Sequence, residues 1–225
     1  MSAVDPAAVA ARLERLRARI EAAGGTEVAV LAVTKGFGAD AVRAALDLGL
    51  DAVGENYAQE LLAKADDLDA GPGPAPRWPF LGRLQRNKVR HLAARVAVWE
   101  SVDRRELVEE LARRVPGATV LVQANLSGEP QKGGAPLAEV PELVARARDL
   151  GLVVDGLMGV GPAGPPEGAR DGFRSLVALA DRLELPERSI GMSADLEVAV
   201  QEGATTVRVG RDLFGPRPVR PSTAG

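Results

Sequence analysis

Leu31-Ala32-Val33-Thr34-Lys35-Gly36 is the stretch from which the chain is best read. An apolar run ends on a lysine, in a sequence where only 4 of the 28 basic residues are lysines. A short continuous apolar run fits a strand covered on both faces. A lysine at its end is placed for Schiff-base chemistry. A partly apolar cavity disfavours the ammonium form and leaves more of the nucleophilic amine. The competing reading is an ordinary surface lysine capping a strand.

Outward from this run the chain alternates. Before it, Asp5-Pro6 reads as an N-cap with proline at the first helical position, and Val9, Leu13, Leu16 and Ile20 recur at helical spacing up to Gly24-Gly25. Strands are expected at 28–34, 51–54, 78–81, 96–102, 119–125, 152–158, 188–192 and 205–209. Helices are expected at 39–48, 58–68, 85–94, 103–114 (opened by an Asp103/Glu106 capping box), 137–150, 173–183 and 195–202, with a last turn at 211–214. Eight strands each followed by a helix predict an α/β fold, a single (β/α)8 TIM barrel with an extra N-terminal helix. A doubly wound open sheet competes, since strand count alone does not separate the two. Neither GxGxxG after the first strand nor GxxxxGK[ST] occurs, so Rossmann and P-loop readings lack their fingerprints. No linker divides the chain. Residues 1–216 are expected to form one domain and 217–225, rich in proline and serine, a flexible tail.

Composition narrows the chemistry. The 225 residues are 46% hydrophobic but only 3% aromatic, so the core must be Val, Leu and Ala. The absence of cysteine excludes disulfides, thiolate metal sites and cysteine nucleophiles, and the single histidine, His91, excludes a histidine-rich metal site. A net charge of −3 with interspersed signs disfavours a dedicated nucleic-acid binder. No window approaches the ~20 apolar residues of a membrane span, and the N-terminus lacks the apolar core of a signal peptide. A cytoplasmic protein is expected.

In a barrel, chemistry gathers at the C-terminal strand ends. Those ends are Lys35, Asn56, Gly82, Ser101, Asn125, Met158, Ser193 and Gly210. The turns Gly191-Met192-Ser193-Ala194-Asp195 and Arg208-Val209-Gly210-Arg211 follow strands seven and eight, a frequent phosphate position in such barrels. Ser193 also reads as an N-cap for the next helix, a role compatible with phosphate binding. A strand-one lysine with a phosphate cup describes a pyridoxal 5'-phosphate (PLP) site or a sugar-phosphate Schiff-base aldolase. Lys64 reads as part of a solvated helix face.

These residues carry a resemblance. Lys35 after its apolar strand, Gly54-Glu55-Asn56-Tyr57, Phe80 to Lys88 (FLGRLQRNK), Gly191-Met192-Ser193 and Val207-Arg208-Val209-Gly210 resemble the PLP homeostasis proteins of the YggS/PROSC type, in order, over about Val28 to Gly215. The resemblance implies a fold-type III barrel similar to the N-terminal domain of alanine racemase, with PLP as an aldimine on Lys35. It implies cofactor contacts from Asn56, Met192, Ser193, Arg208, Gly210 and Arg211, with Arg208 at the pyridine nitrogen. A guanidinium there disfavours ring protonation and weakens the electron sink. The chain departs from the family in three places. Pro79 stands where a histidine is usual, Arg211 where a hydroxyl residue is frequent, and Gly133-Gly134 loosens the loop after Lys132. Lys88 and Lys132 are candidates for cofactor access.

The expected function is intracellular PLP homeostasis and carriage without robust catalysis. PLP-dependent apoenzymes are the candidate recipients, and the chain is expected to be a monomer with no membrane or nucleic-acid partner. A racemase needs a second base from another domain or subunit, and the chain ends shortly after strand eight. The alternative is a weak PLP-dependent amino-acid racemase or a Schiff-base aldolase.

Overall fold

The computed structural model describes residues 4–129 and 132–217. The expected tail, from residue 218 on, lies outside them.

The first helix, α1 (Pro6–Ala22), starts as its sequence dictates. Asp5 Oδ1 accepts from Ala7 N at 3.0 Å, and proline occupies the first turn. Val9, Leu13, Leu16 and Ile20 form its buried stripe, each worth roughly 1.5–3 kcal/mol when fully buried. That stripe lays α1 against the barrel's last helices, α8 (Leu196–Gln201) and α9 (Arg211–Phe214).

Between them run β1 (Ala29–Val33), α2 (Ala39–Asp47), β2 (Val53–Gly54), α3 (Ala58–Asp69), β3 (Trp78–Phe80), α4 (Arg86–Leu92), β4 (Val96–Val102), α5 (Arg105–Arg114), β5 (Thr119–Asn125), α6 (Val140–Asp149), β6 (Val153–Val160), α7 (Arg170–Arg182), β7 (Glu187–Ser189) and β8 (Thr206–Val209). The strands are parallel, in the order β2-β1-β8-β7-β6-β5-β4-β3. In an open sheet β2 and β3 would be opposite edges. Here they bond to each other: Val53 N donates to Arg77 O at 2.9 Å, Glu55 N to Pro79 O at 3.0 Å and Leu81 N to Glu55 O at 2.7 Å. The sheet therefore closes into a barrel, and the open doubly wound alternative is ruled out.

The core has two parts. A large apolar layer lies between strands and helices, and a separate small cluster of Leu31, Val33 and Leu81 lies on the other face of the strands. Alternation on β8 shows why: Val207 and Val209 join the outer layer, while Arg208 is buried at 5% exposure with bonds across the interior. Ser189 and Glu100 are buried with it, Ser189 bonding to both, whereas buried Glu55 bonds to Thr34 and to Lys64 of α3 on the helix side of the strands.

Three local expectations change. The Asp103/Glu106 capping box does not form. Arg104 takes the cap position of α5, and Asp103 pairs with Arg104 and accepts from Gly134 N at 3.2 Å. The expected helix from residue 137 begins at Val140, with Pro141 in its first turn. Lys64 is not on a solvated face: it is 4% exposed and shares a buried stripe of α3 with Leu61 and Ala65.

Candidate functional site

Lys35 lies one residue beyond the end of β1, after Thr34, and is half-buried. Its ammonium is held below the ordinary lysine range, chiefly by burial and then by the positive charges of Arg217 and Arg208. Arg211 acts the same way, and only Glu55 pulls in the opposite direction. The amine is thus biased toward its nucleophilic form.

The loop carrying Lys35 is pinned on both sides. Thr34 N donates to Gly54 O at 3.1 Å, and Thr34 Oγ1 to Glu55 Oε1 at 2.8 Å. Beyond the lysine, Gly36 N donates to Glu60 Oε2 at 2.7 Å. Glu55 also fixes its neighbour, accepting from Asn56 N at 3.0 Å through Oε2. Asn56 Oδ1 is buried and has no hydrogen-bond partner among the described residues. A buried amide end without a partner costs free energy, so a ligand bonding there recovers it. Gly82 holds this corner tight. A Cβ on Gly82 would lie 1.8 Å from Asn56 O, so the backbones of the β2 and β3 exits touch, and only glycine allows it.

Arg208 crosses the interior. Its Nη1 donates to Ser189 O and, at 2.8 Å, to Ser189 Oγ, and its Nη2 donates to Gly159 O at 2.8 Å. Ser189 Oγ donates in turn to Glu100 Oε2 at 2.7 Å. Burial pushes the Glu100 carboxyl above its ordinary range, with Arg208 pulling the other way.

The loops after β7 and β8 lie side by side. Met192 is exposed, and its N donates to Asp195 Oδ1 at 2.6 Å. Ser193 does not cap α8: the helix begins at Leu196 behind Asp195. Gly191 turns the β7 loop at φ 88°, where a Cβ would sit 2.4 Å from Ala199 Cβ. Gly210 precedes α9, with Arg211 exposed at its first position. A residue missed in the sequence ties the loops together. Arg19 on α1 bonds to Ser193 O at 3.0 Å, Glu197 Oε1 at 2.7 Å and Asp212 Oδ2 at 3.0 Å.

Lys88 lines a shallow surface pocket with Asn56, Tyr57 and Arg83. Lys132 Nζ is committed, to Gly161 O at 3.0 Å and Glu129 Oε1 at 2.7 Å. Exposed His91 accepts from Arg90 at 2.9 Å. Pro79 is buried in β3. A cavity of about 470 Å3 opens at the other end of the barrel, lined by strand starts such as Ala29, Asp155 and Thr206, and Lys35 is not among its lining residues. Among the described residues no group of His, Cys, Asp and Glu is arranged to hold a metal, and no helix is long and apolar enough to cross a membrane.

A closed parallel barrel with a lysine leaving its first strand is the architecture of a known class. Residues 4–218 match the family model described as alanine racemase, N-terminal domain. PipY of Synechococcus elongatus PCC7942, solved with PLP bound, matches with a TM-score of 0.82 and 32% identity, over 92% of this chain and 100% of that one. The pyridoxal phosphate homeostasis protein of Aquifex aeolicus is 39% identical over 222 residues, 91% of this chain and 95% of that protein. Its namesake in Escherichia coli K12 is 34% identical over 227 residues, 93% of this chain and 97% of that protein. The chain belongs to the pyridoxal phosphate homeostasis family.

Proposed function

We propose that residues 1–216 act as one PLP-binding unit that holds the cofactor on Lys35 for intracellular homeostasis and carriage, as a monomer in the cytoplasm, with PLP-dependent apoenzymes as recipients. The observation that carries this reading is the half-buried Lys35 amine, kept below the usual lysine range beside Arg208 and Arg211. The residues fit the group. PLP brings an aldehyde that condenses with a primary amine, and Lys35 offers one biased toward its free form. The buried Asn56 Oδ1, an acceptor without a partner among the described residues, suits a polar substituent of the ring that donates to it. Ser193, Gly210 and Arg211, with Met192 nearby, are assigned to the phosphate. Arg211 supplies charge where the family often has a hydroxyl.

Arg208 is assigned to the ring nitrogen. A guanidinium there keeps its proton and gives none to the ring. That favours holding the cofactor over using it for carbanion chemistry.

The test is an absorption spectrum of purified protein with added PLP, followed by borohydride reduction and peptide mapping. A visible band locked onto Lys35 by reduction, and lost in Lys35→Ala, is expected. A protein left colourless by excess PLP overturns the reading. Amino-acid turnover well above that of free PLP, abolished by Lys35→Ala, replaces carriage with catalysis.

A further inference from the structure

Lys64 is one of only 4 lysines in the chain, and it is buried. Its Nζ donates to Thr34 O at 2.7 Å and forms an ion pair with Glu55 Oε1; Glu60 Oε2 lies 3.7 Å away. Each partner touches the backbone that presents Lys35 or Asn56. Thr34 precedes Lys35, Glu60 holds the amide of Gly36 just after it, and Glu55 holds the amide of Asn56. The side chains of Lys64 and Glu55 are 5% and 0% exposed, so neither charge is satisfied by water. Buried charges with no chemistry to perform are costly, and hydrophobic residues of similar size would serve packing equally well.

We propose that Lys64 is a positioning residue for the tether, gripping the Thr34 carbonyl and the Glu55 carboxylate so that Lys35 and Asn56 leave their strands in register for one ligand. The inference rests on Lys35 being the attachment point. Lys64 itself does not react: its amine points into the protein, bonded to a carbonyl and a carboxylate. In the step it serves, Lys35 Nζ adds to the aldehyde carbon, a C=N bond forms, and the carbonyl oxygen leaves as water with the two protons of the amine.

A small misplacement of a reacting atom lowers a rate far more than it lowers ground-state affinity. Lys64 therefore affects the covalent step, while non-covalent binding at the β7 and β8 loops is spared. Lys35 is faced by Arg208 and Arg211 from the β8 end, by Arg217 and by Glu55 from β2. Rates are accordingly compared at the alkaline plateau, where the ionisation of Lys35 no longer contributes.

The experiment compares wild type, Lys64→Met and the double variant Lys64→Met/Glu55→Gln, which leaves no unpaired buried carboxylate if the single variant folds poorly. Two probes are used. Saturating PLP gives the rate of adduct formation by stopped-flow absorbance. Pyridoxine 5'-phosphate, which has an alcohol in place of the aldehyde, gives non-covalent affinity by calorimetry. The expected result is a plateau rate at least tenfold below wild type, with pyridoxine 5'-phosphate affinity within about twofold. A wild-type plateau rate in either folded variant overturns the inference, as does a parallel loss of rate and affinity, which marks a purely structural role. If wild type itself forms no adduct, the tether reading has failed and this inference falls with it. If wild type reacts and the variants match it, only the positioning claim is lost.

Discussion

The hydroxyl of Ser189 stands between two buried charges, accepting from Arg208 Nη1 at 2.8 Å and donating to Glu100 Oε2 at 2.7 Å. The guanidinium proposed to face the ring nitrogen is therefore anchored from behind by a carboxylate on β4. Both groups are almost fully removed from water, so burial raises the Glu100 carboxyl and the Arg208 charge opposes that rise.

Arg208→Gln should leave the carbonyls of Ser189 and Gly159 without their charged donor and Glu100 without the nearby positive charge, at a cost of roughly 1–3 kcal/mol. Urea denaturation at pH 7.5 measures it. A loss below about 1 kcal/mol contradicts this linkage through Ser189. Glu100 also predicts a pH effect. Its folded pKa is raised, so between the ordinary carboxylate range and that raised value the native state binds more protons than the unfolded one. Stability from Glu100 is fully present below the ordinary range and is lost as pH rises through the raised value. Glu100→Gln should remove this falling arm from the stability profile.

Lys35 has the opposite alkaline signature. Its folded pKa is lowered from 10.5, mainly by burial, so the native state releases its proton before the unfolded chain does. The charged amine opposes folding at neutral pH, and the penalty fades as pH climbs from the lowered value toward 10.5. Lys35→Met should be slightly more stable than wild type at pH 7, by a few tenths of a kcal/mol given the partial exposure, and equal to it above that window. Thermal melts at pH 7 and pH 11 decide this. In the same way, adduct formation should reach half its plateau rate below the pH at which a free lysine side chain would.

Arg19 joins the loops after β7 and β8 from a helix outside the barrel. The side chains of Arg19, Glu197 and Asp212 are 35%, 43% and 38% exposed, so its ion pairs contribute little to stability, roughly 0.5–1 kcal/mol. Their effect on loop geometry is larger. Arg19→Ala should weaken pyridoxine 5'-phosphate binding about tenfold, while the alkaline plateau rate at saturating PLP stays near wild type. This is the reverse of the pattern expected for Lys64→Met. Equal affinity in the variant and wild type would show that the loops hold their shape unaided.

Gly82→Ala places a methyl group 1.8 Å from Asn56 O, against backbone that has no rotamer to change. Either the β2 exit moves or the fold loses several kcal/mol. Both outcomes should weaken PLP binding at least tenfold. An alanine variant with wild-type binding and melting temperature would mean that the two exits are not in contact.

Much of this molecule is set by local physics. Apolar runs punctuated by glycine and proline specify eight strands and the helices between them, and a strand buried on both faces has to read as a short run of Val, Leu and Ala. Asp5-Pro6 and the stripe Val9, Leu13, Leu16 and Ile20 specify α1. Lys35, Asn56, Ser193 and Gly210 are visible as strand ends in the pattern, and strand ends collect on one face of a barrel, whereas the cofactor roles expected of Met192, Arg208 and Arg211 come from the family resemblance. Tertiary structure alone decided closure, since the β2 to β3 bonds join segments whose spacing says nothing of an edge. It also decided the fate of the charges. Lys64 looks like any helix lysine beside Glu60, and only the packing of α3 over β1 and β2 buries it on Glu55 and the Thr34 carbonyl. Glu100, Ser189 and Arg208 lie on three different strands, and Arg19 reaches its partners from almost the far end of the chain. Local pattern determines which backbone a residue adopts. Which distant charge completes a buried one depends on loop closure, and that information lies in no window of the sequence.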